Sequence, residues 1–136
     1  MRAVVDTNVL ISALLSRTGS PARTVLAWQQ GVFELIVSPL LLAELKRALA
    51  YPKLRRRIPA AEADRVIEWL GRAATVAPDP ASRPPVHSAD PADDYLIALA
   101  ATEQAVLVSG DIHLLSLRDQ LPIHSPASFL ALLDVD

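Results

Sequence analysis

Acidic residues in this chain stand where an ion or a phosphate would meet them. Asp6 directly follows the short apolar run Ala3-Val4-Val5, and Asp111 follows a second such run, Ala105 to Val108, through Ser109-Gly110. In an open parallel sheet, ligands bind beyond the carboxyl ends of the strands. If these two strands are neighbours, their terminal carboxylates share one site. Asp90, Asp93 and Asp94 crowd the start of a helical pattern, where the dipole tolerates negative charge, and Glu44 is the only acid between Pro39 and Tyr51. Glu44 lies at three- and four-residue spacings from Leu40, Leu41 and Ala48, on the flank of a side that should be buried. There is no cysteine, and His87, His113 and His124 form no metal-ligand spacing, although His113 is close enough to Asp111 to touch a substrate. Oxygen would therefore supply most ligands, and converging carboxylates suit Mg²⁺ or Mn²⁺. Hydrolysis of a phosphodiester by ion-activated water is the chemistry such a set serves.

Each acid also has a structural reading. Asp6 and Asp111 can cap the helices that follow them. Asp90-Pro91-Ala92-Asp93 fits a capping box in which Asp93 reaches back to the cap amide, leaving Asp94 without a structural duty. Glu44, three residues before Arg47, fits a solvated ion pair.

The elements that must position these residues are punctuated by proline. Ser20-Pro21, Ser38-Pro39, Asp90-Pro91 and Ser125-Pro126 each place a capping side chain before a residue suited to the first helical position. Helices are predicted over Val9 to Leu15, Pro21 to Gln30, Pro39 to Tyr51, Ala60 to Ala73, Pro91 to Gln104 and Pro126 to Leu133. The β-prone runs are Ala3 to Val5, Phe33 to Val37, Thr75 to Ala77 and Val106 to Val108, with Leu121 to His124 weaker. This alternation predicts an α/β fold with a mainly parallel sheet of four to five strands. Pro78 to Pro91, with five prolines, reads as a loop.

At 136 residues, 51% of them hydrophobic, the chain suits one domain spanning 1–136. No apolar stretch approaches the roughly 20 residues of a membrane span, and Met1-Arg2 leads straight into a strand, so a cytoplasmic location is expected. The net charge is only −2, yet six of the thirteen basic residues fall between Lys46 and Arg57. Within that stretch Arg55, Arg56 and Arg57 read either as a solvated helix end or as a phosphate-contacting edge. Trp28 and Trp69 sit among aliphatic neighbours and read as core or subunit interface.

The whole arrangement resembles the PIN-domain nucleases. The matching segments are Asp6-Thr7-Asn8-Val9-Leu10-Ile11-Ser12, Glu44, Asp90 through Ala100, and Val108-Ser109-Gly110-Asp111-Ile112-His113-Leu114-Leu115. The chain is most similar to the small virulence-associated-protein-C-like toxins of bacterial toxin–antitoxin pairs. That resemblance implies a three-layer α/β/α sandwich and a Mg²⁺- or Mn²⁺-dependent endoribonuclease. It implies a catalytic, metal-binding quartet of Asp6, Glu44, Asp94 and Asp111, with Asp93 the other acid available at the third position, and support from Asn8 and Ser109. The partners it implies are an RNA substrate, a cognate antitoxin that covers the acidic cleft with a basic side chain, and a second copy of the chain. Other readings stay open: a PIN-like binding module without turnover, or a metal-dependent phosphatase. A haloacid-dehalogenase-like phosphatase needs an acid two residues after the first, where this chain has Asn8. A receiver-type signalling domain needs adjacent acids after the first strand, which are absent.

Overall fold

Five short strands form one all-parallel sheet: β1 (Arg2–Val5), β2 (Glu34–Val37), β3 (Thr75–Val76), β4 (Val106–Val108) and β5 (Ile123–His124), in the order β3-β2-β1-β4-β5. The computed structural model describes residues 1–134. The helices are α1 (Thr7–Leu15), α2 (Ser20–Gln29), α3 (Pro39–Leu49), α4 (Pro52–Arg55), α5 (Ala60–Ala73), α6 (Asp94–Thr102), α7 (Ile112–Leu115) and α8 (Pro126–Leu132), and a 3₁₀ turn over Pro91–Asp93 leads into α6. They sandwich the sheet in the α/β/α manner. Parallel strands covered on both faces must be apolar throughout, and Ala3, Val4, Val5, Leu35, Ile36, Val37, Leu107 and Val108 are all buried. Among the described residues no helix is long and apolar enough to cross a membrane.

The topology decides where the site lies. From β1 the chain winds outward through β2 and β3, then returns to the other side of β1 as β4 and continues to β5. The order therefore reverses between β1 and β4, and the crevice at such a reversal is where open α/β sheets bind ligands. Val5 pairs with Val108, and the Asp6 amide donates to the Val108 carbonyl at 2.8 Å, which puts the residues after both strands side by side.

Local chemistry explains most boundaries. Ser38, Asp90 and Ser125 cap as their sequence context predicts, with their side chains accepting from the amides of Leu41, Ala92 and Ser128. Ser20 does not: Gly19, at φ 99°, takes the cap position and Ser20 is already helical. Its carbonyl accepts from the buried Thr24 hydroxyl at 2.8 Å instead. The helix predicted from Pro39 to Tyr51 ends at Leu49, because Pro52 starts the separate turn of α4. The helix predicted from Pro91 opens as the 3₁₀ turn, which matters for the acids that follow.

Candidate metal centre

Asp6 is the buried pivot. Its carboxylate sits at the cap of α1, where Oδ1 accepts weakly from the Asn8 amide and the Thr7 hydroxyl, both at 3.4 Å. Oδ2 accepts from Ser109 Oγ at 2.7 Å, and the same oxygen of Ser109 accepts from the Asp111 amide at 3.0 Å. One fully buried hydroxyl thus fixes the first acid and the backbone of the last. Burial pushes the Asp6 carboxyl above its ordinary range, against the lowering effect of the Ser109 and Asn8 bonds, and the charge of Asp111 raises it further. Asn8 contributes its backbone amide; its side chain lies on the exposed surface.

Asp111 is both a cap and a member of the cluster. One oxygen accepts from the His113 amide at 2.8 Å, which starts α7, while its charge acts on Asp6 and Asp93. His113 enters through that amide and its side chain is exposed.

Asp93, and not Asp94, faces these two acids. Burial, followed by the charges of Asp111, Asp6 and Asp90, holds the Asp93 carboxyl at about 7. Two ionised carboxylates can only accept, so the contact between Asp93 and Asp111 becomes a hydrogen bond only when Asp93 carries a proton. In the ionised state Asp93 Oδ2 is buried with no donor. An orphaned acceptor on which two further carboxylate charges act is what a cation would satisfy, and an all-oxygen donor set would fit Mg²⁺ or Mn²⁺. Among the described residues no three acids or histidines yet enclose one point as a closed metal cage would. An ion that keeps several waters does not require one.

Asp94, expected as the third ligand, is engaged by the loop before it. Its Oδ2 accepts from His87 Nδ1 at 2.7 Å and its Oδ1 from the Ser88 amide at 2.8 Å, so both oxygens are committed to the proline-rich loop. The His87 bond holds the Asp94 carboxyl below its usual range. The cause is the turn before α6. Asp90 caps it through Ala92, and the Asp90 amide is taken by Ser88 Oγ at 3.2 Å. Asp93 therefore has no cap amide to reach back to. Adjacent helical residues diverge by about 100°, so with Asp94 turned to the loop, Asp93 is the one that faces the cleft.

Glu44 is half-buried on α3 and paired with Arg47, as its structural reading expects. Its charge nonetheless reaches the Tyr95 phenol, which burial and the charges of Asp6, Glu44, Asp93 and Asp79 keep well above the usual range. Tyr95 is where the acid of α3 and the cluster come together, and sequence reasoning passed over it. A tyrosine following an acidic helix start is the only signal it left. Of the basic stretch, Arg57 donates to the Leu15 carbonyl at 3.1 Å and so caps the far end of α1. At 1.5 Å per residue that is about 13 Å from Asp6. Trp28 and Trp69 pack on each other, with ring centroids 4.9 Å apart, rather than standing free.

Comparison with known proteins places the family and the fold. The chain is 30% identical over 123 residues to the uncharacterised protein MJ1680 of Methanocaldococcus jannaschii, covering 88% of this chain and 77% of that protein. Its fold superimposes on the crystal structure of FitAcB from Neisseria gonorrhoeae with a TM-score of 0.56, at 20% identity, covering 92% of this chain and 98% of that one. The model of the PIN domain family matches residues 2–113, the span from the start of β1 to two residues past Asp111. PIN domains are generally metal-dependent nucleases, and this chain belongs to the PIN domain family.

Proposed function

We propose that the protein is a divalent-metal-dependent endoribonuclease and the toxin of a type II toxin–antitoxin pair. The observation that carries the nuclease reading is the buried, donorless Asp93 Oδ2 set against Asp6 and Asp111. These three carboxylates would hold Mg²⁺ or Mn²⁺, with Glu44 adding negative charge from α3 across Tyr95. When bound, the ion neutralises charge on the scissile phosphate and acidifies the attacking water. The chain's own residues prepare that event. Ser109 and the Asn8 amide hold Asp6 still, the Asp111 amide locks Ser109 in turn, and the Asp94–His87 bond fastens the loop beside the cleft. Arg55 and Arg56 offer positive charge to more distant phosphates of the RNA.

The toxin reading draws on the resemblance along the whole chain and on the fold shared with FitAcB. A basic side chain from an antitoxin would relieve the same carboxylate repulsion that an ion relieves, so one cleft serves substrate and inhibitor. The working form is a cytoplasmic homodimer. A small reading frame immediately upstream encoding a DNA-binding protein would support the pairing.

Incubation with single-stranded RNA tests the chemistry. Cleavage should need Mg²⁺ or Mn²⁺ and stop on chelation. Asp93→Asn should lose activity by orders of magnitude, whereas Asp94→Asn should keep most of it. Robust cutting in excess chelator overturns the proposal.

A further inference from the structure

Beside the acid cluster lies a cavity of about 220 Å³, walled by Leu40, Pro80, Pro84 and Tyr95, with Asp79, Ser82 and Asp94 among its polar groups. Asp94 and Tyr95, which line it, directly follow Asp93 of the cluster, and the charges of Asp6, Glu44, Asp93 and Asp79 all act on the Tyr95 phenol. Binding sites for drug-sized molecules run from roughly 300 Å³ upward, so this space suits a single planar ring system. Proline rings, a leucine and a tyrosine offer faces on which such a ring can pack. The proline-rich loop is fastened at two points: Asp79 binds the Leu40 amide through both oxygens, at 3.2 and 3.1 Å, and Asp94 binds His87 and Ser88. The cavity is thereby shaped before any ligand arrives.

We infer that this cavity receives one nucleobase of the RNA next to the cut, and that Asp79 selects guanine. A phosphate is excluded by charge, because Asp79 and Asp94 both border the space. A base enters instead, since single-stranded RNA is read by stacking splayed bases and bonding their Watson–Crick edges. A carboxylate can only accept, and it has about four lone-pair sites, of which the Leu40 amide occupies a part. Guanine alone presents two adjacent donors, N1–H and the N2 amino group, that match a carboxylate's two oxygens. Uracil offers N3–H flanked by carbonyls, which the same carboxylate repels. The place of this cavity in a reaction rests on the nuclease reading; its affinity for a base does not.

Two measurements separate those claims. The wild-type protein is titrated with the 5′-monophosphates of guanosine, adenosine, cytidine and uridine while amide shifts of residues 79–84 and 95–98 are followed. The guanosine nucleotide should bind about tenfold or more tightly than the uridine one. Equal affinities, or no shifts in those residues, overturn the inference. Asp79→Asn keeps one oxygen for the Leu40 amide, so its melting temperature should hold while the guanine preference falls to within about twofold. A preference that survives Asp79→Asn also overturns it. In the second measurement, RNA randomised at one position is cut in the presence of Mn²⁺. Guanine should be enriched beside the scissile bond, and inosine, which lacks the amino group, should be cut at an intermediate rate. Selective nucleotide binding without RNA cleavage would leave the cavity assigned and the nuclease reading refuted. Cleavage with no base preference would do the opposite.

Discussion

The amino-end edge and the carboxyl-end edge of the sheet, where its parallel strands begin and finish, handle charge in opposite ways. At the start of β1, Arg2 donates to Glu34 on β2 at 3.0 Å and to Glu103, at the end of α6, at 3.2 Å, while Thr75 on β3 donates to Glu34 at 2.9 Å. One cation and a hydroxyl there satisfy two carboxylates, the four groups coming from β1, β3, β2 and the end of α6, and the Thr75 and Arg2 bonds lower the Glu34 carboxyl. At the other edge Asp6, Asp93 and Asp111 repel one another across less than full solvation, and no cation of the chain reaches them among the described residues. Solvated ion pairs contribute little to stability, so the first edge is ordinary register control. Buried, unpaired carboxylates are costly, so the second is a cost that a proton or a bound cation would relieve.

The largest expected effect breaks the contrast at the acid edge. Asp6→Asn keeps the shape and the Ser109 bond but removes one ligand charge, and should reduce RNA cleavage by orders of magnitude. The same substitution should shrink the rise in melting temperature caused by Mn²⁺. For the wild type, an ion at a hundredfold excess over its Kd stabilises by about 2.7 kcal/mol. Undiminished cleavage by Asp6→Asn, or an equal thermal response, would show that the edge is not an ion site.

A second test uses pH in the absence of metal. The Asp93 carboxyl lies at about 7 in the folded protein against its ordinary 3.8, so between those values the folded state holds a proton that the unfolded state has released. Stability therefore falls as pH rises from about 4 to about 7 and levels off above, and the raised Asp6 carboxyl acts in the same direction. Denaturation in chelator at about pH 5 and about pH 8 should give the higher stability at the lower value. Asp93→Asn should flatten the difference. The lowered carboxyls of Glu34 and Asp94 pull the other way only at more acidic pH, where their protonation removes stability. Lower stability at pH 5 than at pH 8 would refute the repulsion.

How much of this was legible depends on the range of the cause. The pairing of β1 with β4 follows from two apolar runs that end in acids, and Ser38, Asp90 and Ser125 follow from the grammar of caps before proline, all local facts. Asp93 and Asp94 are both written in the sequence, but which one faces the cleft depends on a 3₁₀ turn. Ser88, from the preceding loop, tips that turn by taking the Asp90 amide. The bond from His87 to Asp94 spans a loop with no periodicity to read. Arg57 looks like one of three equivalent basic residues, and only the tertiary fold, which brings the turn after α4 to the end of α1, commits it to Leu15. Asp79 reads as a turn residue between prolines until the loop folds back onto the start of α3.

The smallest effect concerns the cap that releases Asp93. Asp90→Ala removes the acceptor for the Ala92 amide at 3.1 Å and should cost about 1 kcal/mol of stability, since capping carboxylates are typically worth that much. Its charge also raises Asp93, so the variant should lower the Asp93 carboxyl and slightly weaken the pH slope described above. Asp90→Asn separates the two contributions, because it keeps an acceptor for Ala92 and removes only the charge. The expected order of melting temperature in chelator near neutral pH is Asp90→Asn at or above wild type, then wild type, then Asp90→Ala. RNA cleavage should survive in both variants. If Asp90→Asn instead melts as low as Asp90→Ala, its charge is doing structural work that the contrast between the two edges assigns to a neutral acceptor.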